Sequence, residues 1–175
     1  MTSAVADALL EVAPVFAGFT PDDRADLLEV AVEETYAAGL EIVSIGQPAR
    51  SMYVIAEGTV EVIEAGNWDE APPLATLIPP CTFGEMAFFE RADHQIAVRT
   101  LTPVRVLSIE RVGFDKLLKA QSLAAYKVAL NVLLKLGSQV RQLEAWIGEE
   151  LHHKPGVTRE QWKAFRTRLY QGTEI

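Results

Sequence analysis

Apolar residues recur at helical spacing over residues 5–13 and again over 20–34, with Pro14 and Gly18 breaking the pattern between them. Thr20, followed by Pro21, Asp22 and Asp23, predicts an N-cap with proline in the first helical position; Leu27, Leu28, Val30 and Ala31 should then face a core. From Thr35 the period shortens. Ile42, Ile45, Met52, Val54, Val60 and Val62 sit in short β-prone runs separated by Gly39, Gly46-Gln47-Pro48, Glu57-Gly58 and Gly66-Asn67. Residues 74–78 add a strand, Pro79 and Pro80 turn the chain, and the runs Gln95–Thr100 and Val104–Ile109 flank Pro103. Some eight short strands with glycine turns predict an antiparallel jelly-roll preceded by helices, an α+β fold.

Helical spacing returns after Glu110 and runs to about residue 153. Phe114, Leu117 and Leu118 should pack a short helix on the roll. Beyond it Tyr126, Ala129, Leu133, Leu136, Val140, Leu143 and Ile147 alternate spacings of three and four, the seam of a coiled coil. A helix of about 30 residues is about 45 Å long and overruns a small roll. A parallel homodimer joined through this helix is therefore expected, against the alternative of a helix lying along its own domain.

Lys154-Pro155-Gly156 ends that helix, and Thr158 with Gln161 makes a capping box for one more, which carries Trp162, Phe165 and Leu169 at helical spacing. Residues 151–175 carry net +3, against net −11 for the preceding 150. A basic amphipathic helix can engage an acidic protein or a membrane, with Trp162, Phe165, Arg166 and Leu169 as contacts. Docking on its own dimer or on the acidic roll is the stronger expectation, and a membrane partner is not expected.

The overall charge of −8 argues against nonspecific nucleic-acid binding, and 49% hydrophobic residues over 175 positions suffice to bury a core. Cys81 is the only cysteine, which excludes an internal disulfide framework and fits a reducing compartment; it is expected to be a small buried filler. No basic stretch leads into an apolar one at the N-terminus, and no run is apolar enough for a membrane span, so a cytoplasmic protein is expected. His152 and His153 are adjacent, hence diverge on a helix and do not make a metal site. His94 is the only histidine of the strand region and no Walker-type loop occurs, so catalysis is not expected.

The most informative stretch is Thr82-Phe83-Gly84-Glu85-Met86-Ala87-Phe88-Phe89, followed by Glu90-Arg91-Ala92-Asp93-His94-Gln95-Ile96-Ala97-Val98. Gly84 lets backbone approach a ligand, Glu85 puts a carboxylate at the start of a short apolar helix, and that helix start offers free N–H groups to an anion. This wording resembles the phosphate-binding cassette of the cyclic-nucleotide-binding domain, the effector module of catabolite-activator-type regulators, protein kinase A regulatory subunits and nucleotide-gated channels. The string Gly46 to Val62, with Gly58 at a turn, and the lead-in Val15-Phe16-Ala17-Gly18-Phe19-Thr20-Pro21 resemble the same family, and the likeness extends over residues 9–150.

Pattern and resemblance together divide the chain into a helical lead-in over 1–34, a β-roll over 35–110 with the cassette at 82–98 and a hinge and dimerisation helix over 111–153, and the capping box and charge add a terminal basic helix over 154–175. It implies cAMP or cGMP as effector and no resident cofactor, with Phe83, Gly84, Glu85, Met86, Ala87, His94, Gln95 and Ile96 as ligand-binding candidates. Glu85 is at the position that accepts from the ribose hydroxyl. Aligned on Gly84 and Val98 in the kinase-regulatory spacing, the phosphate-binding arginine is replaced by His94, and Gln95 replaces a small residue. Histidine cannot grip a phosphate with two parallel hydrogen bonds as arginine does, so weak binding is expected; Arg91, in the same loop, is a distant substitute. Catabolite-activator-type proteins hand their long helix on to a helix-turn-helix domain, which needs two helices; one helix follows here, which argues against DNA. The expected function is a stand-alone regulatory domain signalling to a protein partner, the alternative a ligand-free interaction or scaffold module.

Overall fold

The structure is a computed structural model in which residues 4–63 and 73–153 are described. The first helix, α1 (Ala4–Val12), is followed by a 3-10 turn over Pro14–Phe16 and by α2 (Pro21–Leu28). The Thr20 hydroxyl accepts from the Asp23 N–H, and the Asp23 carboxylate accepts from the Thr20 N–H, so the expected cap is a reciprocal capping box. The second helix is shorter than its pattern. It stops at Leu28, and the chain is already a strand at Ala31, four residues before the expected change of period. The run Ala31-Val32-Glu33-Glu34-Thr35-Tyr36 pairs with 104–109, and the long-range ladder overrides a local pattern that reads equally as helix. Of the four core residues expected here only Leu27 is fully buried; Leu28, Val30 and Ala31 are half-buried.

Eight strands follow among the described residues: β1 (Ala31–Tyr36), β2 (Glu41–Val43), β3 (Ser51–Glu57), β4 (Val60–Ile63), β5 (Ala75–Leu77), β6 (Cys81–Phe83), β7 (Ala97–Thr100) and β8 (Val104–Glu110). They form two antiparallel four-stranded sheets, ordered β1-β8-β3-β6 and β2-β7-β4-β5. Alternation along the strands turns Ile55, Val60, Val62, Phe83, Val98 and Val106 into one core between the sheets. Cys81 is half-buried against that core rather than inside it. The turn at Gly58 has no alternative residue: φ is +89°, and a Cβ would lie 2.3 Å from the Pro103 carbonyl oxygen.

Between β6 and β7 lies α3 (Glu85–Glu90); after β8 come α4 (Arg111–Lys119) and α5 (Leu123–His153). Phe114 and Leu117 are buried as expected and Leu118 is half-buried. The first three turns of α5 bury Ala124, Ala125, Val128 and Val132. Three polar tethers tie these turns and the residue before them to the N-terminal segment. Ser122, just before α5, donates to Asp26 at 2.6 Å, Lys127 pairs with Asp23, and the Asn131 amide donates to the Val15 and Ala17 carbonyls, each at 3.0 Å. The final helix expected after residue 154, with Trp162, Phe165, Arg166 and Leu169, lies outside the described residues.

Candidate ligand site at the cassette

The turn from β6 into α3 is made at Gly84, whose φ of +79° is the left-handed conformation that favours glycine. Phe83, the last residue of β6, points into the core and stacks on Tyr53 of β3, with ring centroids 5.0 Å apart. Glu85 opens α3 and is 94% buried, its exposure being 6%. The other wall of the turn comes from the loop before β7. It is pinned to the loop before β3 by hydrogen bonds from the His94 N–H to the Gln47 carbonyl (2.9 Å) and from the Gly46 N–H to the His94 carbonyl (2.8 Å).

This pinning brings His94 onto Gly84. A Cβ placed at Gly84 would lie 3.4 Å from the Ser51 carbonyl oxygen, 3.6 Å from His94 Cε1 and 3.7 Å from Tyr53 Cδ2. The imidazole thus stands beside the cassette glycine, the one part of the cassette without a side chain, and His94 is itself only 6% exposed. Burial lowers its pKa below the usual histidine value, and the neighbouring Asp93 carboxylate offsets this only in part. Near pH 7 the ring is neutral, a donor on one nitrogen and an acceptor on the other.

The remaining candidates fall into two groups. Phe83, Ala87 and Ile96 are buried or half-buried, and Ile96 packs against the core between the sheets. Met86 and Gln95 are exposed, and the Gln95 amide donates to the Asp93 carbonyl at 3.2 Å. Arg91 is turned elsewhere. It ends α3 in the left-handed region (φ +59°) and pairs with Asp115 of α4 at 3.3 Å.

Sequence reasoning missed three residues. Tyr53 lines the glycine turn, and the alternation of β3 places it on the face of Ile55, which was the available signal. Burial, the Glu34 charge and the Glu110 charge raise its pKa, against a hydrogen bond with Ser51. Arg111 and Asp115 of α4 face α3: the Arg111 guanidinium lies 3.6 Å above the Phe88 ring, and Phe88, Phe89 and Phe114 meet edge to face. Nothing in their spacing marked these two charges out from an ordinary solvated helix face.

The sequence profile described as cyclic nucleotide-binding domain matches residues 33–121, just over half of the chain. The chain belongs to the cyclic nucleotide-binding domain family. It is 27% identical over 112 residues to a cAMP-dependent protein kinase regulatory subunit of Neurospora crassa, covering 64% of this chain and 28% of that one. It is also 27% identical over 113 residues to cGMP-dependent protein kinase 2 of Rattus norvegicus, covering 65% of this chain and 14% of the kinase. The chain thus spans about a quarter or less of the length of these curated relatives. Among solved structures, the catabolite activator protein of Thermus thermophilus matches with a TM-score of 0.64 at 22% identity, over 79% of this chain and 65% of that one, which shows a shared fold. The α+β architecture expected from the sequence, with short N-terminal helices, an antiparallel roll and a long following helix, is the one observed. Among the described residues no helix is long and apolar enough to cross a membrane, and no cluster of three metal-ligating side chains occurs.

Proposed function

We propose that this chain is a regulatory module that works as a homodimer in the cytoplasm, binds cAMP, cGMP or a related anionic ligand weakly, and signals to a protein partner through α4 and α5. The observation that carries the reading is the neutral, buried imidazole of His94 packed on Gly84, with Glu85 opening the helix beside it. In this reading Glu85 accepts a ligand hydroxyl and His94 offers one N–H to an anion. Replacing a two-pronged guanidinium by one neutral donor forfeits a charged hydrogen bond of about 1.5–3 kcal/mol, roughly tenfold to a few hundredfold in affinity. A bound anion favours the charged imidazole, so protons are taken up on binding and affinity rises as pH falls. No catalytic step is part of this reading.

Calorimetric titration with cAMP and cGMP at pH 7 and pH 6 tests it. Saturable heat that strengthens at pH 6 is expected; no heat up to millimolar nucleotide at either pH retires the nucleotide reading. One observation favours the alternative, a ligand-free interaction module: Glu85 and His94 are both almost wholly covered, and His94 and Tyr53 already line the glycine turn. His94→Arg separates the two. It sharpens nucleotide binding when the rest of the cassette accepts ligand and leaves the titration flat when the cassette is filled by its own side chains.

A further inference from the structure

Alternation and register put Val32, Glu34 and Tyr36 of β1, Ser108 and Glu110 of β8 and Tyr53 of β3 on one face of the sheet β1-β8-β3-β6. Ser108 is the centre of this group, directly opposite Val32 on one neighbouring strand and Tyr53 on the other. Around it Val32 is 51% exposed, Glu34 and both tyrosines are half-buried, and Glu110 is exposed. Among the described residues neither Glu34 nor Glu110 makes an ion pair, whereas Glu33 and Glu57 share Arg105. The Tyr36 hydroxyl donates to Glu34, and the charges of Glu34 and Glu110 both raise the pKa of Tyr53, so the two carboxylates converge on that side chain. Ser108 itself is 1% exposed, and its hydroxyl is buried with no hydrogen-bond partner among the described residues. Buried hydroxyls in native structures are ordinarily paired.

We propose that this face docks an arginine side chain of the partner protein, with the guanidinium against Tyr53 and Glu34 and the aliphatic stem along Val32. Charge decides the sign of the occupant. Two carboxylates with no cation of their own, in an aromatic and apolar surround, attract a positive group and repel an anion, and the chain's net −8 adds to both effects. Chemistry favours arginine over lysine. One side of the Tyr53 ring is stacked on Phe83, while Ser108, directly opposite on the other neighbouring strand, carries no ring to cover the second side. A flat guanidinium can lie on an aromatic face while its N–H groups donate to a carboxylate; a lysine ammonium is a compact, strongly hydrated charge that cannot stack in this way. The Ser108 hydroxyl lies at the floor of the group as a further acceptor, and half-exposed Val32 gives the stem an apolar contact. Tyr53 also borders Gly84, so the occupant sits against the outer wall of the cassette. The inference rests on the protein partner of the reading above and not on its nucleotide, so its failure and that of nucleotide binding are read separately.

NMR titration of the full chain, without nucleotide, tests the site with acetyl-arginine amide and its neutral isostere acetyl-citrulline amide. The arginine probe should saturate in the range of about 1–10 mM and shift the amides of Val32, Glu34, Tyr53 and Ser108, with citrulline at least about tenfold weaker. Glu34→Gln should weaken the arginine probe by about tenfold, and Asp7→Asn, on the exposed side of α1, by less than about twofold. Thermal melting confirms that both variants are folded. Ser108→Ala should weaken the probe by about threefold while its melting temperature is unchanged or higher, because the hydroxyl it removes is buried without a partner; a residue that only packs the strand would not move binding and stability in this way. No shift at these four amides up to about 50 mM probe overturns the proposal. So does an equal response to citrulline, or an equal loss in Glu34→Gln and Asp7→Asn.

Discussion

Lys127→Met tests how firmly the start of α5 is held. Asp23 is 4% exposed, and its carboxylate receives the Thr20 N–H and the Thr20 hydroxyl, each at 2.7 Å, besides the Lys127 ammonium. Burial alone would raise its pKa; the hydrogen bonds from Lys127 and Thr20 and the lysine charge outweigh it, and the net shift is downward. Methionine keeps the aliphatic stem but leaves the carboxylate with the two bonds from Thr20. A hydrogen bond to a charged group is worth about 1.5–3 kcal/mol, and the lysine side chain is 29% exposed, so screening by water brings the expected loss to about 1–2 kcal/mol. For a chain of this size that is a fall of roughly 2–8 °C in Tm. Urea unfolding of Lys127→Met, Asp23→Asn and the double variant at pH 7 isolates the pair in a thermodynamic cycle. The sign with pH is fixed. A carboxylate with a depressed folded pKa stabilises above its unfolded value, about 3.9, and the gain is lost as pH falls through the folded pKa. A cycle energy below about 0.3 kcal/mol at pH 7 would refute the argument that this pair fastens α5 to α2.

Two further outcomes follow from the packing. Gly113→Ala should destabilise by about 1–3 kcal/mol although alanine is the better helix former, because its Cβ would lie 2.8 Å from Val30 Cβ; a chemical melt showing stabilisation would contradict that close approach of α4 to the chain before β1. His94, neutral in the fold with a lowered pKa, stabilises above its unfolded value of about 6.5 and loses that contribution as pH falls toward the folded value. Melting temperatures of wild type should therefore fall more steeply between pH 7 and 5.5 than those of His94→Leu, and parallel slopes would count against a buried neutral ring.

The roll was legible because its signals are redundant. Glycines at forced turns, such as Gly58 against the Pro103 carbonyl, agree with strand alternation and with the proline breaks. Where one signal stood alone, reading failed at the boundary: nothing local distinguishes Ala31–Tyr36 as strand, because its partner β8 lies more than 60 residues on. The loop before β7 shows the same limit. A strand was expected from Gln95, but the ladder starts at Ala97, since His94 spends its backbone groups on Gly46 and Gln47 instead. Within the cassette, Phe83-Gly84-Glu85 could be read by wording, and the placement of His94 by counting from Gly84. Tyr53 was legible only as a residue on the Ile55 face of β3; its approach to Gly84 comes with a cross-strand contact with Phe83 that no local spacing encodes. The long helix was legible from its periodicity, and α5 runs over Leu123–His153, close to the expected end at about residue 153.

The pairing of Arg91 shows why it is a poor stand-in for the arginine that the resemblance puts at the position of His94. A permanent cation three residues before His94 is close enough in sequence to invite the exchange. Its charge is already spent on Asp115, and its backbone is fixed in the left-handed turn that ends α3. Withdrawing it toward the cassette would unpair Asp115 on α4. It would also remove the charge that, with burial, lowers the pKa of Arg111, whose guanidinium sits on Phe88 with its Nη2 buried and without a hydrogen-bond partner. Phe88 in turn meets Phe114, so the group that holds α3 against α4 contains both a cation–π contact and an aromatic edge. Arg91 therefore serves the contact between the cassette helix and the helix after the roll, and an anion that recruited it would act on that contact. On the proposed reading recognition at Gly84 falls to the one neutral imidazole of His94, while Arg91 and Arg111 both sit at the joint between α3 and α4.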